Sequence, residues 1–433
     1  MKNNKLFQYI VMGLFVFFII VGAILFSTYR SNNTSSTNIS ITMWGTLPAD
    51  DFGNFVSKYF SDAGLKYTVD YVEKSLATFD RDLVEALASG AGPDAVVIPE
   101  DMIVRLSNKI YPIPYTTFSE LNFKQTYIQE GELFLNKKGI LALPFSVDPL
   151  VMYWNRDIFN NASVTKPPAT WAEISNLVPK MTKKDQSKNI TASTVALGEF
   201  RNVVNAKEIL SALLIQAGNP IIETSADGIF SSVLKDDFGL KTPPAALSLE
   251  FFTSFSNPVK KEYSWNRSLT SSLNAFVNGD LALYFGFASE FLNIKEKNPN
   301  LNFDVAVLPQ ISGAKIYNTF GNMLGFAIMK NSLDPAGTFT VLSNLTSAEA
   351  VPFWSNLFNI SSARRDILGQ VDKSAAKTVF NQSAIMSKGW LDPNGVETSI
   401  IFQEMVESYT TGRENLLEAI GTASDRLDGL LNK

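Results

Sequence analysis

The chain has 433 residues, of which 45% are hydrophobic and 18% charged, and its formal net charge is −5. This length favours two or more compact units, and the mildly acidic balance argues against a nucleic-acid binder, which needs a basic face. The chain contains neither cysteine nor histidine. This composition excludes disulfides, Cys/His zinc sites and every catalytic mechanism that needs a histidine base or a thiolate.

The N-terminus holds an uncharged apolar segment, LFQYIVMGLFVFFIIVGAILF, at residues 6–26. It is long enough to cross a bilayer as a helix, and Lys2 and Lys5 precede it, so the positive-inside rule places the N-terminus in the cytoplasm. A cleaved signal peptide is the alternative, although its apolar core is usually shorter. We predict that residues 1–30 form a cytoplasmic stub and an uncleaved signal anchor. The polar residues 31–38 then form a flexible tether.

Short strands alternate with amphipathic helices after the tether. The patterns predict strands at 40–44, 66–72 and 93–99, and helices at 49–64 and 78–90. In each helix the apolar side chains recur one turn apart, and each helix ends at a glycine. The β-α-β-α-β order predicts a parallel sheet covered by helices, in which ligands bind beyond the carboxyl ends of the strands.

The same alternation continues through the rest of the chain. Thr170 and Glu173 form the pattern of a capping box at a helix start. Residues 268–286 read as a helix, a glycine stop and a strand, and residues 412–431 read as an amphipathic closing helix. Neither an internal repeat nor a long linker divides the sequence, so two lobes would have to interleave along the chain.

Seven segments in a fixed order resemble the bacterial extracellular solute-binding proteins of family 1, typified by maltodextrin-binding protein. They are GAGPDAVVI (90–98), LPFSVDPLVMYWNRDIF (143–159), KPPATWAEI (166–174), AFVNGDLALYFG (275–286), DVAVLPQ (304–310), GNMLGFAIMK (321–330) and TGRENLLEAI (411–420). The resemblance implies an α/β fold of the type II-like periplasmic-binding-protein class, with two interleaved lobes joined by hinge strands and preceded here by the N-terminal transmembrane helix. It assigns residues 39–146 plus 282–330 to the first lobe and residues 147–281 plus 331–433 to the second.

The resemblance also implies a function. Proteins of this kind capture a small solute, most often a sugar or oligosaccharide, between the lobes and deliver it to an ABC importer in the membrane. We therefore expect a non-enzymatic monomer without cofactor or metal, held at the cell membrane by a single span with its binding domain on the extracytoplasmic face. A membrane-anchored glycosidase and a ligand-presenting sensor subunit are the alternatives, because paired carboxylates suffice for glycoside hydrolysis.

Asp148 interrupts the apolar segment 143–159. A buried charge is costly unless it is paired or lies at a wet cleft. By the resemblance this segment is the first hinge crossing, so Asp148 would emerge into the cleft and accept hydrogen bonds from sugar hydroxyls. An ion pair with Arg156 is the alternative.

Further candidate ligand residues lie at the ends of predicted strands. Glu100 and Asp101 follow the strand AVVI, where the family places a ligand-binding acid, and capping of the next helix is the alternative role. Trp44 and Thr46 end the first strand, and Trp44 offers a flat apolar face to a sugar ring unless it packs in the core.

Four positions in the second half of the chain complete the predicted site. Phe287 and Ser289 follow the strand LALYF, where family members often present an aromatic side chain. Asn322 begins a strand at the lobe interface and can both donate and accept hydrogen bonds. Trp390 is the tryptophan of the second lobe that we expect to line the cleft.

Overall fold

The structure is a computed structural model that describes residues 38–225, 227–358, 360–370 and 372–432. The strands, numbered in chain order, are β1 Ile39–Gly45, β2 Tyr67–Glu73, β3 Ala95–Pro99, β4 Leu135–Asn136, β5 Gly139–Ile140, β6 Leu143–Asn155, β7 Lys183–Lys184, β8 Ile190–Val195, β9 Ile222–Thr224, β10 Phe230–Ser232, β11 Leu281–Phe287, β12 Phe303–Ala306, β13 Gly321–Ile328 and β14 Ser361–Ser362. The α-helices are α1 Ala49–Asp62, α2 Phe79–Ser89, α3 Ile103–Leu106, α4 Glu120–Thr126, α5 Arg156–Asn161, α6 Trp171–Met181, α7 Ala206–Gln216, α8 Pro244–Ser254, α9 Ser272–Val277, α10 Glu290–Lys297, α11 Pro335–Leu345, α12 Val351–Phe358, α13 Arg365–Leu368, α14 Ala375–Ile385, α15 Gly395–Thr410 and α16 Leu416–Leu431. Short 3₁₀ helices span Glu100–Met102 and Gln129–Phe134.

The first part of the chain folds as its sequence pattern predicts. β1 lies between β2 and β3 and is parallel to both. The apolar face of α1, which includes Phe52 and Phe55, is buried. α2 ends at Gly90, whose left-handed backbone (φ 75°) is the conformation that glycine adopts most readily. The carboxyl ends of these parallel strands define the edge at which the predicted acids lie.

One long strand, β6, connects the two halves of the molecule. Among the described residues the main sheet runs β2-β1-β3-β13-β6-β11-β8-β7, with β12 and β14 also paired to β6. β13 pairs antiparallel with the first half of β6, and β11 pairs antiparallel with its second half. Apart from Asp148, every residue of β6 is buried, so Asp148 marks the one point at which this strand reaches a less buried environment.

Two hydrophobic cores lie on either side of the middle of β6. Val147 is the last residue of β6 in the first core, and Leu150 is the first in the second core. Phe320 belongs to the second core and Met323 to the first, so the chain crosses back at the start of β13. The protein is therefore a mixed α/β structure with two lobes whose chain segments interleave. We call the lobe built on β1–β3 the first lobe and the other the second lobe.

The buried side chains group differently from the predicted lobe boundaries. β11 and the residues up to Phe320 pack in the second core, although 282–330 was assigned to the first lobe. α11 and α12 contribute to the first core, although 331–433 was assigned to the second. The reason is strand pairing: β11 pairs with the second half of β6 and with β8, and those long-range partners cannot be deduced from the local pattern of residues 281–287.

The predicted membrane anchor and tether lie at residues 1–38, almost entirely outside the described part of the chain. Within the described ranges, none of the helices combines the length and apolarity that a membrane crossing requires.

Candidate functional site

Asp148 lies where the chain passes from the first lobe to the second. Its Cα pairs with that of Asn322 across the β6–β13 ladder, so the two side chains share one face of the sheet. Asp148 Oδ1 accepts a hydrogen bond of 3.0 Å from the backbone N–H of Ser289. Burial raises the pKa of the Asp148 carboxyl to about 6. No ion pair joins Asp148 to Arg156 in the described part of the chain, and the Arg156 guanidinium lies near the Trp154 ring instead.

Ser289 ends the turn between β11 and α10 in the second lobe, directly before the helix, and is exposed. The turn is held by Glu290, whose carboxylate accepts hydrogen bonds from Phe287 N (2.8 Å), Asn205 Nδ2 (2.9 Å) and the Tyr284 hydroxyl. The ring of Phe287 is 8% exposed and belongs to the second core. The structure therefore brings Ser289 next to Asp148 and its ladder partner Asn322. The Phe287 side chain instead packs in the second core beneath the turn.

Glu100 continues the sheet beyond the end of β3. Leu324 pairs with Pro99, and at the next position along β13 the N–H of Met323 donates to Glu100 Oε2 at 2.7 Å. Burial, and then the neighbouring Glu130 and Asp101, raise the pKa of Glu100 well above its ordinary value. Glu100 is the first residue of a 3₁₀ helix, and Pro99 and Met102 rather than Glu100 hold the N-cap positions of that helix and of the next. Its carboxylate is bound to the ladder at the lobe junction.

Asp101 faces the second lobe. The pKa of Asp101 is raised by burial and by the nearby Asp392, while Lys207 lowers it. Lys207 is the second residue of α7, and its Nζ lies 2.9 Å from Asp392 Oδ2 and 3.3 Å from the carbonyl oxygen of Gly395. Thr398 donates its hydroxyl hydrogen bond to the same Asp392 carboxylate at 2.9 Å. An acid of the first lobe thus lies against a charged cluster of the second.

Glu130 lies on the other face of the hinge ladder from Asp148. A Cβ placed on Gly321 would be 2.5 Å from Glu130 Oε2, and a Cβ on Gly389 would be 3.0 Å from Oε1. Because Gly321 and Asn322 are neighbours in one strand, their Cβ directions are opposite. Glu130 is 1% exposed, and neither carboxylate oxygen has a hydrogen-bond partner among the described residues. Burial raises its pKa to about 8.

Trp44 and Thr46 lie at the carboxyl end of β1, as predicted, and both are partly buried. The Nζ of Lys74 lies 3.8 Å from the centroid of the Trp44 ring, which is a cation–π geometry. Lys74 follows β2, the strand that pairs with β1. One face of the Trp44 ring is therefore covered, and a sugar ring would have to use the other.

The structure places Trp390 in the core of the second lobe. The side chain is 3% exposed, its ring stacks on Phe402 with centroids 5.9 Å apart, and its Nε1–H donates to Ser211 Oγ. Trp265 and Trp354 are buried as well. The expectation that Trp390 presents its ring to the cleft is not met, because its apolar surface is already used in packing.

Sequence reasoning missed Lys207, Asp392 and Glu130. Lys207 and Asp392 are 185 residues apart, and Glu130 lies in a short 3₁₀ helix that carries no recognised motif. Their immediate neighbours in the sequence, such as Gln129 and Gly131 beside Glu130, give no signal of a buried site. What the arrangement offers chemically is a set of carboxylates, an amide and a hydroxyl at the junction of the two lobes, which suits hydrogen bonding to a polar solute.

Curated relatives cover most of the chain. The sn-glycerol-3-phosphate-binding periplasmic protein UgpB of Salmonella typhimurium is 22% identical over 410 residues, which is 87% of this chain and 89% of that protein. UgpB of Escherichia coli K12 is 22% identical over 338 residues, 73% of this chain and 72% of that protein.

Solved structures share the fold. The cyclic α-maltosyl-1,6-maltose binding protein of Arthrobacter globiformis aligns with a TM-score of 0.72 at 14% identity, covering 91% of this chain and 99% of that one. A cyclo/maltodextrin-binding protein in complex with maltotetraose aligns with a TM-score of 0.71 at 15% identity, covering 90% and 96%. The sequence profile described as bacterial extracellular solute-binding protein matches residues 56–380. Since that match spans most of the chain, this protein belongs to the bacterial extracellular solute-binding proteins.

Proposed function

We propose that this protein captures a sugar or oligosaccharide between its two lobes and passes it to an ABC importer. The observation that carries the proposal is the meeting of Asp148, Asn322 and Ser289, since polar groups from the hinge and the second lobe converge at one point. Carboxylate and amide groups in such a position accept and donate hydrogen bonds to hydroxyls. The likeness to a maltotetraose complex and to a mannotriose complex supports a saccharide ligand.

The test is a thermal-shift screen of the full-length chain, because a ligand that binds only the native state raises the melting temperature by mass action. Maltotetraose, mannotriose and glycerol 3-phosphate are the first probes, the last because the UgpB proteins are named for it. A rise with a saccharide and not with glycerol 3-phosphate supports the proposal. A rise with glycerol 3-phosphate alone would contradict it.

The proposal is for a binding protein and not for an enzyme. Incubation of the protein with maltotetraose, followed by an assay for new reducing ends, distinguishes it from a glycosidase. We expect the tetrasaccharide to be recovered intact, and release of shorter sugars would contradict the proposal. Delivery to the importer and a monomeric state belong to the same proposal. Light scattering at the concentration of the binding assay measures the mass against the 47.8 kDa of one chain.

We further propose that the N-terminal segment holds the binding domain at the outer face of the cell membrane. The uncharged apolar residues 6–26 and the preceding Lys2 and Lys5 support this. The protein should stay in the membrane fraction with an intact N-terminus, and protease added outside should release a fragment that begins near residue 38. A soluble mature form that begins at residues 28–38 would contradict the anchor.

A further inference from the structure

Asp101 and Gly395 are in close contact although they belong to different lobes. Asp101 follows β3 of the first lobe, and Gly395 is the first residue of α15, whose buried side chains belong to the second core. A Cβ built on Gly395 would clash with Asp101 Oδ2, and it would lie 3.5 Å from the Nζ of Lys207. The absence of a side chain at position 395 is therefore what allows the Asp101 carboxylate to approach.

Lys207 is held in place on the second-lobe side of this contact. Its ammonium contacts Asp392 and the Gly395 carbonyl, and the residue is 9% exposed. The Asp392 carboxylate in turn accepts from Thr398 in α15. The position of Lys207 is thus set by partners within its own lobe. Asp101 Oδ2 and the Lys207 ammonium both lie near the Cβ position of Gly395, and the negative charge of Asp101 acts on Lys207 across the lobe boundary.

We propose that the contact of Asp101 with Lys207 and Gly395 is the one that closes the two lobes, with Asp392 as the residue that positions Lys207. This inference rests on the proposed function, because closure matters only if a solute is enclosed. In the closed state Asp101 fills the space left by the missing side chain of Gly395 and is stabilised by the Lys207 charge. In an open state these groups separate, and Lys207 keeps its partner Asp392.

Gly395→Ala tests the proposal because it separates closure from stability. Position 395 is the first residue of a helix, where alanine is a better helix former than glycine. The added methyl group would nevertheless meet Asp101 of the other lobe. Gly421→Ala in α16 is the matched control, since a Cβ there meets nothing within 4 Å.

The conformational experiment does not depend on the identity of the solute. The chain has no cysteine, so spin labels at Leu76→Cys in the first lobe and Val259→Cys in the second report the distance between the lobes. Both positions are exposed, at 66% and 91%. We expect Gly395→Ala to shift the distance distribution toward longer values, and Gly421→Ala to leave it unchanged. Asp101→Ala in the Gly395→Ala background should restore the shorter distances, because it removes the carboxylate that the methyl group meets.

The binding readout is the affinity for maltotetraose or mannotriose, whichever binds the parent protein. We expect Gly395→Ala to weaken it about tenfold, the effect of a modest overpacking penalty, while the melting temperature without sugar is equal or higher. An unchanged distance distribution and affinity in Gly395→Ala would overturn the proposal. The proposal would also be overturned if Gly395→Ala weakened sugar affinity by the same factor in the parent protein and in the Asp101→Ala variant, since the effect would then not pass through Asp101. If the parent protein binds neither sugar while Gly395→Ala still lengthens the distance between the lobes, the result would contradict the proposed function and leave the closing contact in place.

Discussion

The Asp148 carboxylate accepts a hydrogen bond of 3.0 Å from the backbone N–H of Ser289, although the two residues are 141 positions apart in the chain. The bond joins the hinge strand β6 to the turn after β11. It also fixes Asp148 beside Asn322, its partner across the β6–β13 ladder. The carboxylate keeps a second oxygen, and this oxygen is the group that we expect a solute hydroxyl to reach.

Asp148→Asn should weaken sugar binding without weakening the fold. The amide keeps one acceptor for the Ser289 N–H but removes the charge, so we expect a loss of about 1.5–3 kcal/mol of binding free energy, the strength of a hydrogen bond to a charged group. That is roughly 10- to 150-fold in affinity. Calorimetric titration with maltotetraose or mannotriose measures it.

The stability of the same variant provides the control. The pKa of Asp148 is raised in the folded protein to about 6, so above that pH its ionised form costs folding free energy. Asparagine removes this cost, and the melting temperature at pH 8 should not fall. A lower melting temperature with unchanged affinity would show that Asp148 is structural and that the solute binds elsewhere.

Glu130→Gln should stabilise the protein in a pH-dependent way. The pKa of Glu130 is raised from 4.5 to about 8 by burial. As the pH rises between these values the unfolded chain releases a proton that the folded protein keeps, so the free energy of unfolding decreases across this window. Glutamine removes the titration, and the variant should gain stability, on the order of a few kcal/mol at most, at pH 8 and little below pH 4.5.

Urea unfolding at pH 4.5, 6 and 8 measures this difference. Glu85→Gln is the matched control, because Glu85 is exposed on α2, and it should change the free energy of unfolding by less than about 0.5 kcal/mol. If the difference between Glu130→Gln and the parent is the same at all three pH values, Glu130 does not carry the buried proton.

Trp390→Ala and Trp44→Ala should differ in their effects. Trp390 is a core residue stacked on Phe402 and bonded to Ser211, so its truncation should cost about 3–5 kcal/mol of unfolding free energy. Trp44 is partly exposed under Lys74, and its truncation should cost far less. Denaturant unfolding ranks the two. A Trp390→Ala variant that is as stable as the parent but has lost sugar binding would show that Trp390 contacts the sugar and does not act as a core residue.

Features set by local interactions can be predicted from this sequence, whereas features set by long-range contacts cannot. β1 to β3 and the helices between them were predicted correctly because periodicity and glycine stops such as Gly90 are local signals. Asp148 stands out in the sequence because a lone acid in an apolar strand is costly to bury. The roles of Lys207 and Glu130 depend on Asp392 and Gly321, which are distant in sequence. No local pattern could therefore identify them.

Solute binding should draw the two lobes together. The backbone joins them at β6 near Asp148, at the start of β13 and at α14, where Phe380 belongs to the second core and Ala384 to the first, and among the described residues each buried apolar side chain belongs to one core only. Each core can therefore move as a unit, with the dihedral changes confined to the crossings. A solute that contacts both lobes only when they meet shifts the population toward the closed form.

Small-angle scattering of the full-length chain should show a smaller radius of gyration with saturating maltotetraose or mannotriose, whichever binds, and no change with glycerol 3-phosphate. A radius that stays constant while calorimetry reports full occupancy would show that the sugar enters a rigid groove, and the Asp101–Gly395 contact would then have to be permanent.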